Sequence, residues 1–197
     1  ATSNAIAVTV NPNLPVSVVI STTDATTICE GATVEFTANI TNGGTNPTYQ
    51  WYNGATLIGG ATNPTYTYTG VVPGGSITCV VTSDATCATG SPATSNAIAV
   101  TVNPNLPISV TITTNPPGVI CSGGSVIFTA IPVNGGLTPA YQWQLNGIDI
   151  PLATSNPYTI VSPADGDQVT CVLTSSDPCT TGNPATSNTI TIEVGIV

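Results

Sequence analysis

Lysine, arginine, histidine and methionine are all missing from this chain. The nine acidic residues therefore have no cationic side chain to pair with, and the net charge is −9. Without Lys or Arg there is nothing to neutralise phosphate, which argues against nucleic acid as a partner. It argues equally against docking on anionic lipid surfaces. Without His or Lys there is no Ser-His-Asp or Cys-His set and no Schiff base. A His-ligated zinc site is excluded as well. A carboxylate-only enzyme is the one catalytic class left standing. The expectation is no enzyme, no cofactor and no metal. No run approaches the ~18 apolar residues of a membrane span, so membrane insertion is not expected. Aromatic residues make up 5% of the chain and charged residues 5%.

What is present is Thr, Val, Ser, Asn, Gly and Pro. The hydrophobic fraction is 41%. Thr- and Val-rich stretches punctuated by Gly and Pro read as all-β. The clearest feature is a repeat. Residues 1–18 and 93–110 differ only at Val16 versus Ile108, and a looser copy, ATSNTITIEV, occupies 185–194. The starts at Ala1, Ala93 and Ala185 give a period of 92 residues, the length of a whole domain. Residues 1–13 read as the closing strand and linker of a preceding module, 14–102 as module 1, 103–107 as a linker and 108–197 as module 2. The linker Asn103-Pro104-Asn105-Leu106-Pro107 carries two prolines, which favour an extended, semi-rigid spacer.

Within module 1, Val34, Phe36, Ala38 and Ile40 alternate with Glu35, Thr37 and Asn39, the period-two pattern of a half-buried strand. Further strands are expected at 16–20, 48–52, 64–69, 76–82 and 93–102, with turns at Asn42-Gly43-Gly44 and Pro73-Gly74-Gly75. About seven short strands in about 90 residues match a Greek-key β-sandwich. Trp51 precedes Cys79, and Trp143 precedes Cys171, by the same 28 residues. In an immunoglobulin-type frame a buried Trp on strand C packs near a Cys on strand F. The strand-B cysteine of that frame is replaced by Ala38 and Ala130, so Cys79 and Cys171 are expected to be buried free thiols. The fold class expected is all-β, as tandem immunoglobulin-like Greek-key β-sandwiches joined end to end.

Several motifs recur together. They are Ile28-Cys29-Glu30-Gly31 with Ile120-Cys121-Ser122-Gly123, Tyr-Gln-Trp at 49–51 and 141–143, Val169-Thr170-Cys171-Val172, 85–90 (ATCATG) and Ala93-Thr94-Ser95-Asn96. In this combination the chain resembles the tandem Ig-like or PKD-like repeats of large cell-surface or type IX-secreted adhesins of the Bacteroidetes. The resemblance implies an extracellular, modular, non-catalytic protein.

Four cysteines are disulfide candidates: Cys29, Cys87, Cys121 and Cys179. In an Ig-like sandwich Cys29 and Cys87 fall at opposite ends, roughly a strand length (20 Å) apart, whereas a disulfide needs Cα atoms within about 7 Å. End-to-end stacking favours an inter-module Cys29–Cys179 bond, with Cys87 and Cys121 pairing to other modules. Intramodule Cys29–Cys87 and Cys121–Cys179 bonds, or reduced thiols, remain open. Asp165 and Asp167 suggest Ca²⁺, but module 1 has Pro73 and Gly75 there, and a turn role is the simpler reading. Tyr66, Tyr68 and Tyr158 suit either stacking on sugars or cross-strand pairing. Asn39-Ile40-Thr41 fits a glycosylation pattern.

Ala1–Val10 is a third closing strand where two modules need two. It belongs either to a longer array, the preferred reading because neither module lacks a strand, or to a sheet in a neighbouring subunit. The ending Val194-Gly195-Ile196-Val197, in place of Asn-Pro, counts against the first. The chain has no initiator Met or leader-like segment, which reads as a mature form or an excised window. The function expected is a repeat unit of an extracellular filament or adhesin stalk, acting as a stiff spacer. Its partners are copies of itself or adjacent modules. The alternative is a glycan- or cell-binding adhesin module.

Overall fold

A computed structural model describes residues 1–195. Positions 196 and 197, at the end of the range assigned to module 2, lie outside the described residues. The described chain is all-β and divides into two compact units, Ala1–Pro104 and Asn105–Val197.

In module 1 the strands run β1 (Leu14–Pro15), β2 (Ser17–Ser21), β3 (Thr27–Cys29), β4 (Thr33–Thr41), β5 (Thr48–Asn53) and β6 (Thr56–Leu57). They continue as β7 (Thr65–Thr69), β8 (Gly74–Thr82), β9 (Ala88–Thr89), β10 (Ala93–Thr94) and β11 (Ile98–Asn103). One sheet has the order β2-β4-β7 and the other β3-β11-β8-β5-β6, with β10 also on β8. Apart from the β5–β6 hairpin, the strands paired in these sheets are not consecutive in sequence, which is the Greek-key crossing of an immunoglobulin-like sandwich.

Module 2 repeats the plan with β12 (Leu106–Pro107), β13 (Ser109–Asn115), β14 (Ile120–Cys121), β15 (Ser125–Val133), β16 (Ala140–Leu145) and β17 (Ile148–Asp149). It ends with β18 (Tyr158–Val161), β19 (Gln168–Thr174), β20 (Thr180–Thr181), β21 (Ala185–Thr186), β22 (Ile190–Thr191) and β23 (Val194–Gly195). Its sheets are β13-β15-β18 and β17-β16-β19, the latter joined on β19 by β21 and β22. Both modules are immunoglobulin-like β-sandwiches.

The alternation in β4 explains its position. Val34, Phe36 and Ala38 point inward and are buried, while Thr33, Glu35, Thr37 and Asn39 face water. At the centre of each core a fully buried Trp packs between the two sheets. Trp51 lies 6.4 Å from Phe36 and 5.6 Å from Tyr66, and Trp143 lies 5.9 Å from Phe128 and 6.0 Å from Tyr158. Each indole N–H donates to a backbone carbonyl, that of Asn63 at 2.9 Å or Ser155 at 2.8 Å. The largest buried side chain thus carries no unpaired donor, which would cost about 1–3 kcal/mol.

The expected closing strand Ala93–Val102 is not one strand but two, β10 and β11, separated by Ser95-Asn96-Ala97. The break has a physical reason. The Ser95 hydroxyl accepts the Cys79 N–H at 2.9 Å, and the Asn96 side-chain amide takes both backbone groups of Ile20, at 2.9 and 3.2 Å. The chain leaves one ladder here to bond the edge strand of the opposite sheet. Ser187 and Asn188 do the same with Cys171 and Ile112. By contrast, residues 1–13 form no strand in the structure, and Ile6, Val8 and Val10 are 87%, 82% and 87% exposed.

Candidate functional site: the module ends and their cysteines

Each module has an entry end, where the chain arrives, and an exit end, where it leaves. The entry of module 1 is built on β1. The Leu14 N–H donates to the Cys87 carbonyl at 3.0 Å, the Val16 N–H donates to Thr89 at 2.8 Å, and the Asn42 side chain donates to the Pro15 carbonyl at 2.6 Å. Asn42 reaches back because it sits at φ 58°, a left-handed turn geometry that Asn tolerates. Module 2 is bonded identically. Leu106 donates to Cys179 at 2.9 Å, Ile108 to Thr181 at 3.0 Å, and Asn134 to Pro107 at 2.7 Å.

The exit of module 1 is built on β3, a short strand that sequence periodicity misses. It pairs in parallel with β11, so that Asn103 lies opposite Cys29, and the Glu30 N–H donates to the Asn103 carbonyl at 2.9 Å. At the exit of module 2, β14 pairs with β23 and Cys121 lies opposite Gly195. In each module, then, one cysteine marks the exit and one the entry. The linker is held at both borders by module backbone, Asn103 in β11 and Leu106-Pro107 in β12.

Equivalent cysteines differ in state. Cys29 and Cys179 are disulfide-bonded, whereas their counterparts Cys121 and Cys87 are exposed free thiols. Cys79 and Cys171 are fully buried free thiols. Burial pushes each up to about 11, against a smaller lowering by a backbone hydrogen bond from Gln50 or Gln142. Both stay protonated and act as small apolar side chains against the Trp.

The other candidate side chains are occupied within their modules. Asp167 accepts from the Ala164 N–H and the Asn146 side chain, and Asp165 accepts from the Val194 N–H, so both carboxylates organise the turn before β19. Among the described residues no group of three potential metal ligands occurs. Tyr66 and Tyr158 lie against the core Trp rings, and Tyr68 is buried. Asn39, on the outer face of β4, donates to the Ser21 hydroxyl. Sequence reasoning located the cysteines and missed the Ser-Asn pair of the closing segment. Its signal was there: Ala-Thr-Ser-Asn occurs at 1, 93, 153 and 185. At 153 the motif works in the same way, with Asn156 bracketing Ala130 at 2.8 Å on both backbone groups.

No family model matches the sequence. The highly immunogenic outer capsid protein of Enterobacteria phage T4 is 30% identical over 157 residues, spanning 75% of this chain and 41% of that protein. The chain therefore spans less than half the length of this curated relative. Among solved structures, the three N-terminal domains of the bacteriophage RB49 highly immunogenic outer capsid protein superpose with a TM-score of 0.48 at 14% identity, covering 92% of this chain and 71% of that one. The four N-terminal Ig domains of Dscam1 isoform 6.9 give 0.40 at 15%, covering 86% and 43%.

Proposed function

We propose that this chain is a structural repeat unit of an extracellular filament or adhesin stalk, a stiff spacer whose two sandwiches are locked at their junction by a Cys29–Cys179 disulfide. The placement of the two bonded cysteines carries the reading. Cys29 lies beside Asn103 at the exit of module 1, and Cys179 is bonded through its carbonyl to Leu106 at the entry of module 2. Only three residue steps separate Asn103 from Leu106, a reach of about 10 Å at most. That short span is compatible with a bond between the two thiols. A covalent tie beside a two-proline linker removes bending freedom that a Gly- or Ser-rich tether would leave.

The Bacteroidetes-adhesin resemblance and the phage outer-capsid relative both support a role outside the cell. So does a disulfide, which persists in oxidising surroundings. The His, Lys and Arg side chains on which most catalytic sets depend are missing. The glycan-binding alternative draws less support, because the ring faces of Tyr66 and Tyr158 are turned to Trp. Small-angle scattering of the oxidised chain, the reduced chain and the C29S variant tests the spacer. A narrow distribution of long end-to-end distances, broadening on reduction and in C29S, is expected. Indistinguishable broad distributions in all three would contradict it.

A further inference from the structure

Cys29 and Cys179 divide the chain unequally. Between them, residues 30–178 make up 149 of the 197 residues. That stretch holds the linker 103–107, Trp51 and Trp143. Among the buried residues of the two core clusters, only Val18, Ile20 and Ile192 lie outside it.

The outer segments cross each module once. In module 1 the chain passes from Leu14 at the entry, through β1, β2 and β3, to Cys29 at the exit. β4 covers the same distance in return. Just before it begins, the Ala32 N–H donates to the Cys29 carbonyl at 3.0 Å, and just after it ends, Asn42 donates to Pro15. In module 2 the chain passes from Cys179 at the entry, through β20, β21 and β22, to Val194 opposite Ile120 at the exit. There β15 is the return strand, from Gly124, which donates to Cys121, to Asn134, which donates to Pro107. Leu14 to Cys29 and Cys179 to Val194 are 15 residue steps each, a reach of about 50 Å. The nine-residue return strands span about 30 Å. Each outer segment is thus already drawn out along its module, with only about 20 Å of chain in reserve.

We propose that the Cys29–Cys179 bond makes the two modules a load-bearing tie. Tension along the chain passes through the first strands of module 1, across the disulfide and into the last strands of module 2. The linker, the other strands and both Trp residues sit in a loop that carries no tension. The tie rests on the Cys29–Cys179 reading, and it adds a resistance to extension that a spacer alone does not need. Without the bond, tension leaves module 1 through β11 and the linker, and every residue of both modules can be drawn out. The bond withholds the 150 residue steps from Cys29 to Cys179, about 500 Å of chain. A Cys29–Cys87 bond would withhold 58 steps, about 200 Å, and leave the linker loaded.

Single-molecule stretching of the full chain tests the tie, with the ends held through enzymatically ligated tags so that no cysteine serves as a handle. Without reductant, the fully stretched length should fall about 500 Å short of that reached by the same chain in dithiothreitol and by C29S. Reduction and C29S remove the bond by independent routes, and stepwise unfolding in each reports that the modules were folded. Non-reducing peptide mapping of the unreduced sample identifies the bond. If Cys29 maps to Cys179 and the unreduced chain still stretches to the reduced length, the bond is exchanging under load with the exposed Cys87 or Cys121 thiol. That result overturns the tie and leaves the spacer standing. A difference of only about 200 Å, with Cys29 mapped to Cys87, removes the tie and the junction bond together. Broad scattering distributions with the difference of about 500 Å intact remove the stiffness of the spacer and uphold the tie.

Discussion

In module 1 the closing strand runs unbroken from Ile98 to Asn103, whereas in module 2 the same segment pairs at Ile190–Thr191 and again at Val194–Gly195 with two residues between. The difference lies in the segment beneath it. In module 1 Gly74 and Gly75 already belong to β8 and pair with Thr101 and Val100. Module 2 has Asp165-Gly166-Asp167, and the Val194 N–H is taken by the Asp165 carboxylate instead of the ladder. The outer face of the neighbouring sheet differs too. Glu35, Asn39 and Thr41 in module 1 become Ile127, Ile131 and Val133, all solvent-exposed, in module 2. What is held constant is the Trp-centred core and the backbone bonding of the entry end. The packing that makes a sandwich and the bonding that receives the linker are fixed, and the closure varies.

Four perturbations sharpen or break this comparison. The largest effect belongs to the shared core. W51A and W143A should each cost about 3–5 kcal/mol, with equal losses in calorimetric unfolding; a clear inequality would mean the two cores are not equivalent. Next comes the closure. G74A and G166A both place a side chain at positive φ, roughly 1–2 kcal/mol. G74A must also push the Val100 carbonyl away, adding roughly 1–3 kcal/mol of overpacking. Equal midpoints for the two variants would deny that module 1 closes more tightly. A smaller effect is expected where the modules agree again. N96A and N188A each strip the partner from both backbone groups of one strand residue, costing about 1–3 kcal/mol, and urea titration should find the two alike.

The smallest effect is a pH dependence at one carboxylate of module 1. The Asn46 N–H, helped by the Thr45 hydroxyl, holds the Asp84 carboxyl below its ordinary value. A depressed folded value means the contribution is fully present above the unfolded carboxylate range. It is lost as pH falls through the lowered value. Module 2 has Ser176 there, donating nothing to titration while accepting the Thr138 N–H at 3.0 Å. D84S should therefore flatten the acid limb of module 1 unfolding by a small amount, and an unchanged limb would remove Asp84 from the account.

The long strands were legible because their pattern is local. Val34, Phe36 and Ala38 alternate strictly, and the Trp-to-Cys spacing of 28 reflects two strands facing each other in the register Trp51–Cys79. The cysteine placement at opposite module ends also followed from topology. The two- and three-residue strands β1, β3 and β9 were not legible, since a period of two has no meaning over two residues. The Ser-Asn pair escaped for a different reason: Asn96 bonds Ile20, 76 positions away, and nothing in the local sequence names that partner. The tyrosines divided the same way, their parity being readable and the Trp faces they meet being tertiary.

The pairing of the bonded cysteines is the most direct test, because equivalent cysteines differ in state and only one arrangement joins the modules at their linker. Peptide mapping under non-reducing conditions measures it, with pepsin as the protease because the chain offers trypsin no Lys or Arg. The account predicts a peptide containing Cys29 linked to one containing Cys179, released on reduction. A Cys29–Cys87 linked peptide within module 1 would contradict it.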